Sequence, residues 1–318
     1  MPSGLSAQYQ HMLADLSVVY RAAMVEGGGT VAEADRLLKA FADRIIVQLQ
    51  SPFHYEPYHH RVTEPFDYYA FGIEFLRPLV NKPASSLRGR EHLQTIAGQL
   101  AAGDNIIFVA NHQTEGDPQA ISILMEGEFE AIARDMIFVA GERVTTDPIA
   151  VPFSKGRNLL CIYSKRYIDQ PPELRATKQQ RNRKTMERMG ALLAEGGHCI
   201  YVAPSGGRDR KNAAGVIEIA AFDPQSVEMF VLIAQRAGRP THFYPMALAT
   251  YDFLPPPETV DVAVGEARPI RRSPVHMAIG PELDMQLAGE GNRSDRHVQR
   301  AARADAAWQA VVHEYSRF

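Results

Sequence analysis

NIIFVANHQTEGDPQAISIL, residues 105–124, opens with a short run that is apolar after Asn105, passes through a polar loop and closes on a helix-forming segment. A continuous apolar run, as opposed to an alternating one, suits a strand covered on both faces, the usual condition of strands in parallel sheets. Asp117-Pro118 then places an N-cap acceptor before a proline fit for the first helical position. The stretch therefore reads as strand, loop, helix.

The same pattern recurs outward from it. MIFVA (136–140), LLCI (159–162), CIYVA (199–203), FYPMAL (243–248) and VDVAV (260–264) are further strand candidates separated by helix-length segments. Asp147-Pro148 and Asp223-Pro224 mark two more helix starts. A basic helix is expected over 173–195, and a closing helix from about Ser294 to Tyr315, where Val298, Ala301, Ala304, Trp308 and Val311 step by three or four. Strands alternating with helices predict an α/β fold with a mainly parallel or mixed sheet flanked by helices.

Upstream the period changes. Leu13, Leu16, Val19 and Tyr20, then Leu37, Leu38, Phe41, Ile45, Ile46 and Leu49, recur at helical spacing on either side of Gly27-Gly28-Gly29. This predicts a helical hairpin, followed by an aromatic and Pro-rich connection over 51–79. The chain is thus expected to divide into a smaller N-terminal helical bundle domain, 1–80, and an α/β catalytic domain, 81–318.

Composition excludes several classes. A net charge of −3 over 318 residues argues against a nucleic-acid binder that neutralises phosphates along its length. Two cysteines, Cys161 and Cys199, each within an apolar run, imply neither a disulfide framework nor a zinc site. No stretch approaches the ~18–20 apolar residues of a bilayer span, so no transmembrane segment and at most peripheral membrane contact is expected. The N-terminus has neither an apolar signal core nor the acid-poor look of an organelle transit peptide, which favours a cytoplasmic protein, or an organellar one from which such a peptide has been removed. His54, His59 and His60 sit among aromatics and prolines and read as packing residues, so no metal and no cofactor is implied.

Three strand-end segments could carry chemistry. In NHQTEGDP, 111–118, Asp117 can fold back on His112, fix its tautomer and leave Nε2 as a base. Alternatively Asp117 is only a helix cap and His112 a solvated loop residue. In APSGGRDRK, 203–211, glycines let the backbone approach a ligand and Arg208 and Arg210 offer fork-shaped donors to phosphate oxygens; a surface turn is the alternative. In YSKRY, 163–167, Lys165 and Arg166 end another strand. From Lys165 to Lys211 there are eleven Lys/Arg and five acids, a local +6 that leaves −9 for the rest. Arg181, Lys184 and Arg188 fall on one face of the intervening helix.

Taken together, these motifs resemble a known family. The H-x-x-x-x-D of His112 to Asp117 is similar to the first motif of the glycerolipid acyltransferases. NHQTEGDP, GRNLLCIYSKRY, APSGGRDR and FYPMAL resemble the soluble, chloroplast-type glycerol-3-phosphate 1-O-acyltransferases, from EPFDYY (64–69) to the C-terminal helix. Pro204-Ser205-Gly206-Gly207 stands where most members of the wider family carry an acidic P-E-G. The resemblance implies a helical bundle before an α/β domain, His112 as base, Asp117 as its orienting partner, and Arg208 and Arg210 as ligands of glycerol 3-phosphate. It aligns the plant Lys-His pair with Arg166-Tyr167, where Arg166 keeps the charge and Tyr167 departs.

The activity so implied is acyl transfer from acyl carrier protein or acyl-CoA to the sn-1 hydroxyl of glycerol 3-phosphate, an early step of phospholipid biosynthesis. The basic face of Arg181, Lys184 and Arg188 would steer either anionic donor. No side chain suggests itself for an oxyanion hole, so backbone N–H groups would have to serve. Two alternatives remain. A thioesterase would use Ser205 with His112, although PSGG lacks the preceding glycine of a nucleophile elbow. A non-catalytic acyl-carrier-binding or lipid-binding protein would not need both His112 and Asp117.

Overall fold

The computed structural model describes residues 5–165, 168–256, 269–286 and 295–318. Its helices are α1 (Ala7–Glu26), α2 (Val31–Gln50), α3 (Tyr68–Leu76), α4 (Arg90–Ala101), α5 (Asp117–Leu124), α6 (Glu130–Asp135), α7 (Arg143–Thr146), α8 (Val151–Ser154), α9 (Arg175–Glu195), α10 (Pro224–Ala237) and α11 (Arg296–Tyr315). The strands are β1 (Tyr58–His59), β2 (Ser86–Arg88), β3 (Asn105–Ala110), β4 (Ile137–Gly141), β5 (Asn158–Ile162), β6 (Cys199–Val202), β7 (Arg210–Lys211), β8 (Ile217–Glu218), β9 (Thr241–Ala249) and β10 (His276–Ile279).

Eight strands form one sheet in the order β1-β5-β4-β6-β3-β9-β10-β2. The five central strands are parallel, while β1 runs antiparallel to β5 and β10 antiparallel to β9. This is the mixed, mainly parallel α/β sheet that the strand pattern predicts. Along β3, Ile106, Phe108 and Ala110 enter one core with Met246 and Leu248. Ile107 and Val109 enter the opposite one with Ile200, Val202 and Phe243. Both faces are dry, which is why the run is continuously apolar.

The helical hairpin forms as read. Gly28 turns the chain at φ 89°, and a capping box closes α2: Glu33 N donates to Thr30 Oγ1 (3.2 Å) while Thr30 N donates back to Glu33 Oε2 (2.7 Å). Tyr20 stacks on Phe75 of α3 at 4.6 Å, and Phe41 tilts against the same ring at 5.0 Å. This third core takes in Ala120 and Ile123 of α5. The 51–79 connection supplies both α3 and β1, an edge strand.

Several local expectations are corrected. Asp223 caps α10 as predicted, accepting from Ser226 N at 2.9 Å. Asp117 does not cap α5: Gly116 is the N-cap and Asp117 the first helical residue. Asp147-Pro148 starts no helix directly; Asp147 ends α7 and accepts from Ile149 N (2.9 Å) in the turn before α8. The basic helix begins at Arg175, after a 3₁₀ turn over Pro172–Leu174, and α11 is capped by Asp295, which accepts from His297 N. The VDVAV segment (260–264), Ser294, Arg166 and Tyr167 lie outside the described residues. Strands β1, β2 and β10 escaped the sequence reading because two to four residues cannot display a period.

Cys161 and Cys199 are buried free thiols, and burial raises both, Cys161 to about 12. His59 packs against Phe53 and Tyr55 and bonds the Lys155 carbonyl oxygen at 3.1 Å, with burial pushing its ring down to about 4. Among the described residues, no helix is long and apolar enough to cross a membrane.

Candidate active site

Because the central strands are parallel, the loops after β3, β4, β5, β6 and β9 all emerge on one rim of the sheet, where ligands of open α/β folds bind. His112 sits two residues beyond β3. Its Nδ1 is 2.8 Å from Asp117 Oδ2. The carboxylate can only accept, so Nδ1 is the donor, and in the neutral ring this tautomer leaves the lone pair on Nε2. The ring is 30 % exposed while the Asp117 side chain is 2 % exposed, which leaves the histidine reachable and its partner shielded.

A carboxylate buried this deeply needs donors on both oxygens. Gln113 N (3.0 Å) joins His112 on Oδ2, while Thr114 N (3.2 Å), Thr114 Oγ1 (3.1 Å) and Thr250 Oγ1 (2.5 Å) serve Oδ1. The first turn of α5 thus folds back over its own loop. Gly116 makes room for this: a Cβ there would stand 2.5 Å from Phe253 Cζ.

Two neighbouring segments clamp the loop. From the end of β9, Leu248 N donates to Asn111 Oδ1 (2.8 Å), and Thr250 N and Tyr251 N donate to Gln113 Oε1 (2.7 and 2.9 Å). From the segment after β6, the buried Asp209 carboxylate accepts from Asn111 Nδ2 (2.7 Å), Gln113 Nε2 (3.2 Å) and Ala220 N (3.0 Å). Asp209 N also donates to the His112 carbonyl oxygen at 2.8 Å. Burial raises the Asp209 carboxyl above the usual range against the pull of these donors. Tyr201 donates its hydroxyl to the Asn111 carbonyl oxygen at 2.7 Å.

The cations are arranged unevenly. Arg208 Nη1 lies 3.6 Å from Glu115 Oε1, and Arg143 Nε, at the start of α7 just after β4, approaches the same oxygen at 3.9 Å. Glu115 is three residues from His112, so Arg208 stands beside the histidine's loop. Arg210 opens β7, which pairs with β8. Lys165 reaches the N-terminus of α10 instead, donating to Asp223 Oδ2 at 2.5 Å with 64 % of its side chain exposed. On α9, Arg181 donates to the Tyr55 carbonyl oxygen, Arg188 pairs with Glu195 at 3.2 Å, and Lys184 is exposed. Ser205 donates its hydroxyl to the Gly207 carbonyl oxygen at 2.9 Å.

The loops that carry His112, Asp117 and Arg208 all lie within the span that a family model matches. The acyltransferase family model matches residues 85–249, from before α4 to the end of β9. A chloroplastic glycerol-3-phosphate acyltransferase of Cucurbita moschata is 36 % identical over 319 residues, covering 99 % of this chain and 70 % of its own length. The chain belongs to the glycerol-3-phosphate acyltransferase family. The chloroplastic relatives of Spinacia oleracea and Arabidopsis thaliana are 36 % and 35 % identical, each covering 93 % of this chain and 63 % and 65 % of their own lengths. The chain therefore spans about two thirds of the length of these relatives.

The sequence placed His112 and Asp117 in one strand-end loop, where they lie 2.8 Å apart, and Arg208 in another, where it meets Glu115 of that loop. It missed the supporting residues Asn111, Gln113, Thr114, Asp209 and Thr250, and the arginine Arg143 that meets Arg208 across Glu115. Three of these lie within two residues of His112, and a run of polar residues after a largely apolar strand was the available signal. Thr250 had none beyond ending a strand.

Proposed function

We propose that this chain transfers a fatty acyl group from a thioester to the sn-1 hydroxyl of glycerol 3-phosphate, giving 1-acylglycerol 3-phosphate. The observation that carries the reading is the 2.8 Å contact between His112 Nδ1 and the buried Asp117, which leaves Nε2 as a base on the loop whose Glu115 meets Arg208. His112 takes the proton of the acceptor hydroxyl as that oxygen attacks the thioester carbonyl carbon. The carbon–sulfur bond then breaks, and the thiolate leaves with the proton held by the imidazolium. Asp117 fixes the tautomer and stabilises the imidazolium.

Arg208 and Arg210, with Lys165 and Arg166, bind the acceptor phosphate and hold its hydroxyl in reach of Nε2. The donor is an acyl carrier protein or acyl-CoA, drawn by the basic surface that includes Lys184, Arg181 and Arg188. Residues 81–318 carry the chemistry, and residues 1–80 form a mainly helical unit packed on them that also lends the sheet its edge strand β1. Among the described residues no helix is long and apolar enough to cross a membrane, and contact with the bilayer is at most peripheral.

The test is transfer of palmitoyl from either thioester to labelled glycerol 3-phosphate, with products resolved by position. His112→Ala should lower kcat by ~10²–10⁴. Full activity in that variant would overturn the mechanism. Release of free fatty acid without an acceptor would point to hydrolysis, a reading that the bond from Ser205 to Gly207 disfavours.

A further inference from the structure

A cavity of about 300 Å³ opens where α2, the 51–54 turn, α3 and α8 meet. None of its lining residues belongs to the loops that build the rim around His112. The lining includes Arg44, Gln48, His54 and Lys155, and no Asp or Glu. Among the described residues, neither Arg44 nor Lys155 is paired with a carboxylate.

Arg44, Gln48 and Lys155 each keep a hydrogen that the described protein does not take up. Arg44 lies with its guanidinium 3.9 Å over the Phe66 ring, and its Nε is buried with no hydrogen-bond partner among the described residues. Gln48 is only 7 % exposed, and its Oε1 is committed to Phe53 N at 3.0 Å. That bond fixes the amide's orientation and leaves its NH₂ as the outward group, without a partner among the described residues. Lys155 Nζ is held between the Phe53 and Tyr68 rings, 4.6 and 4.1 Å from their centroids, and donates to Tyr68 Oη at 3.0 Å. The rings favour its charge without neutralising it.

Buried donors and shielded cations are expensive when left unmatched. An oxyanion in the cavity would meet the Gln48 NH₂ and the charges of Arg44 and Lys155, and two cations without an acid suit a dianion better than a monoanion. We propose that this cavity is a second anion site, separate from the rim, that takes a phosphate group. Its volume is at the lower end of small-molecule sites, ~300–1,000 Å³, so the ligand is compact. Binding there would join α2 to the segment that leads into β5.

The test is calorimetric titration of the full chain carrying Arg208→Ala and Arg210→Ala, so that the rim arginines do not report. Inorganic phosphate should bind saturably to one site, with acetate much weaker. Lys155→Gln and Arg44→Gln should each weaken phosphate ~10–100-fold, the range for losing one hydrogen bond to a charged group, while Lys155→Arg retains binding. Phenyl phosphate binding more tightly than inorganic phosphate would identify a phosphorylated small molecule as the ligand, and the reverse order would identify free phosphate. Absence of saturable binding, affinity unmoved by both Gln variants with their far-UV circular dichroism intact, or acetate equal to phosphate would overturn the proposal.

Discussion

Asp117-Pro118 and Asp223-Pro224 are the same dipeptide at the same kind of place, between a strand-end loop and a helix, yet they act differently. Asp223 stands outside α10, accepts from Ser226 N and Lys165, and has a side chain 36 % exposed. Burial alone would raise its carboxyl, but Lys165 and Ser226 hold it below the usual range. Asp117 stands one residue further in, as the first residue of α5, with 2 % of its side chain exposed and His112, Gln113, Thr114 and Thr250 as donors. One position along a helix separates a cap from an orienting group, because the N-cap carboxylate serves its own helix whereas the N1 carboxylate is free to serve the preceding loop.

That contrast can be broken by substitution. Asp117→Asn should lower kcat for acyl transfer by ~10²–10⁴, because an amide can present the wrong hydrogen-bonding group to Nδ1 and invert the tautomer. The change is read as kcat at saturating acceptor, and near-normal turnover would reduce Asp117 to a second cap. Gly116→Ala, at the N-cap between the two roles, should destabilise by ~1–3 kcal/mol in urea unfolding, since its Cβ would stand 2.5 Å from Phe253 Cζ. Asp223→Ala should cost about 1 kcal/mol, the value of a helix cap, with kcat changed far less than in Asp117→Asn.

A second pairing sharpens the same comparison with a smaller effect. His242, near the start of β9, also meets carboxylates: Glu282 on Nδ1 at 2.7 Å and Asp104 on Nε2 at 3.1 Å. Burial works against its charge, but the two carboxylates outweigh it and raise the folded value. A raised histidine contributes fully below its unfolded value of about 6.5, and that contribution is lost as pH rises through the folded value. Urea unfolding of wild type and His242→Gln should therefore differ most on the acid side and converge toward alkaline pH. His112 keeps one nitrogen for chemistry, whereas His242 has both committed.

Legibility in the sequence followed from how local each signal is. The apolar runs of β3 to β6 and β9 were visible because burial on both faces writes itself into every residue of a strand. His112 and Asp117 were visible because they share one loop. Asp209 was hidden: flanked by Arg208 and Arg210, it reads as a solvated acid in a basic turn, and only its placement beneath Asn111 and Gln113 makes it a clamp. Lys165 shows the reverse, a strand-end cation whose nearest carboxylate, Asp223, lies 58 residues on.

The amino-acid sequence by itself determined the α/β class, the helical hairpin before it and the rim on which the loops gather, and it set His112 and Asp117 in one loop as candidates. These depend on the periodicity of burial and on contacts within a few residues. Tertiary structure alone decided that Asp117 turns back into the loop, that β9 and Asp209 lock the loop from two sides, that Glu115 lies between Arg143 and Arg208, and that Arg44, Gln48 and Lys155 meet around one cavity. Each joins residues distant in the chain, and a buried polar group's partners are set by which backbones the sheet and its helices bring within about 3 Å, which no local pattern encodes.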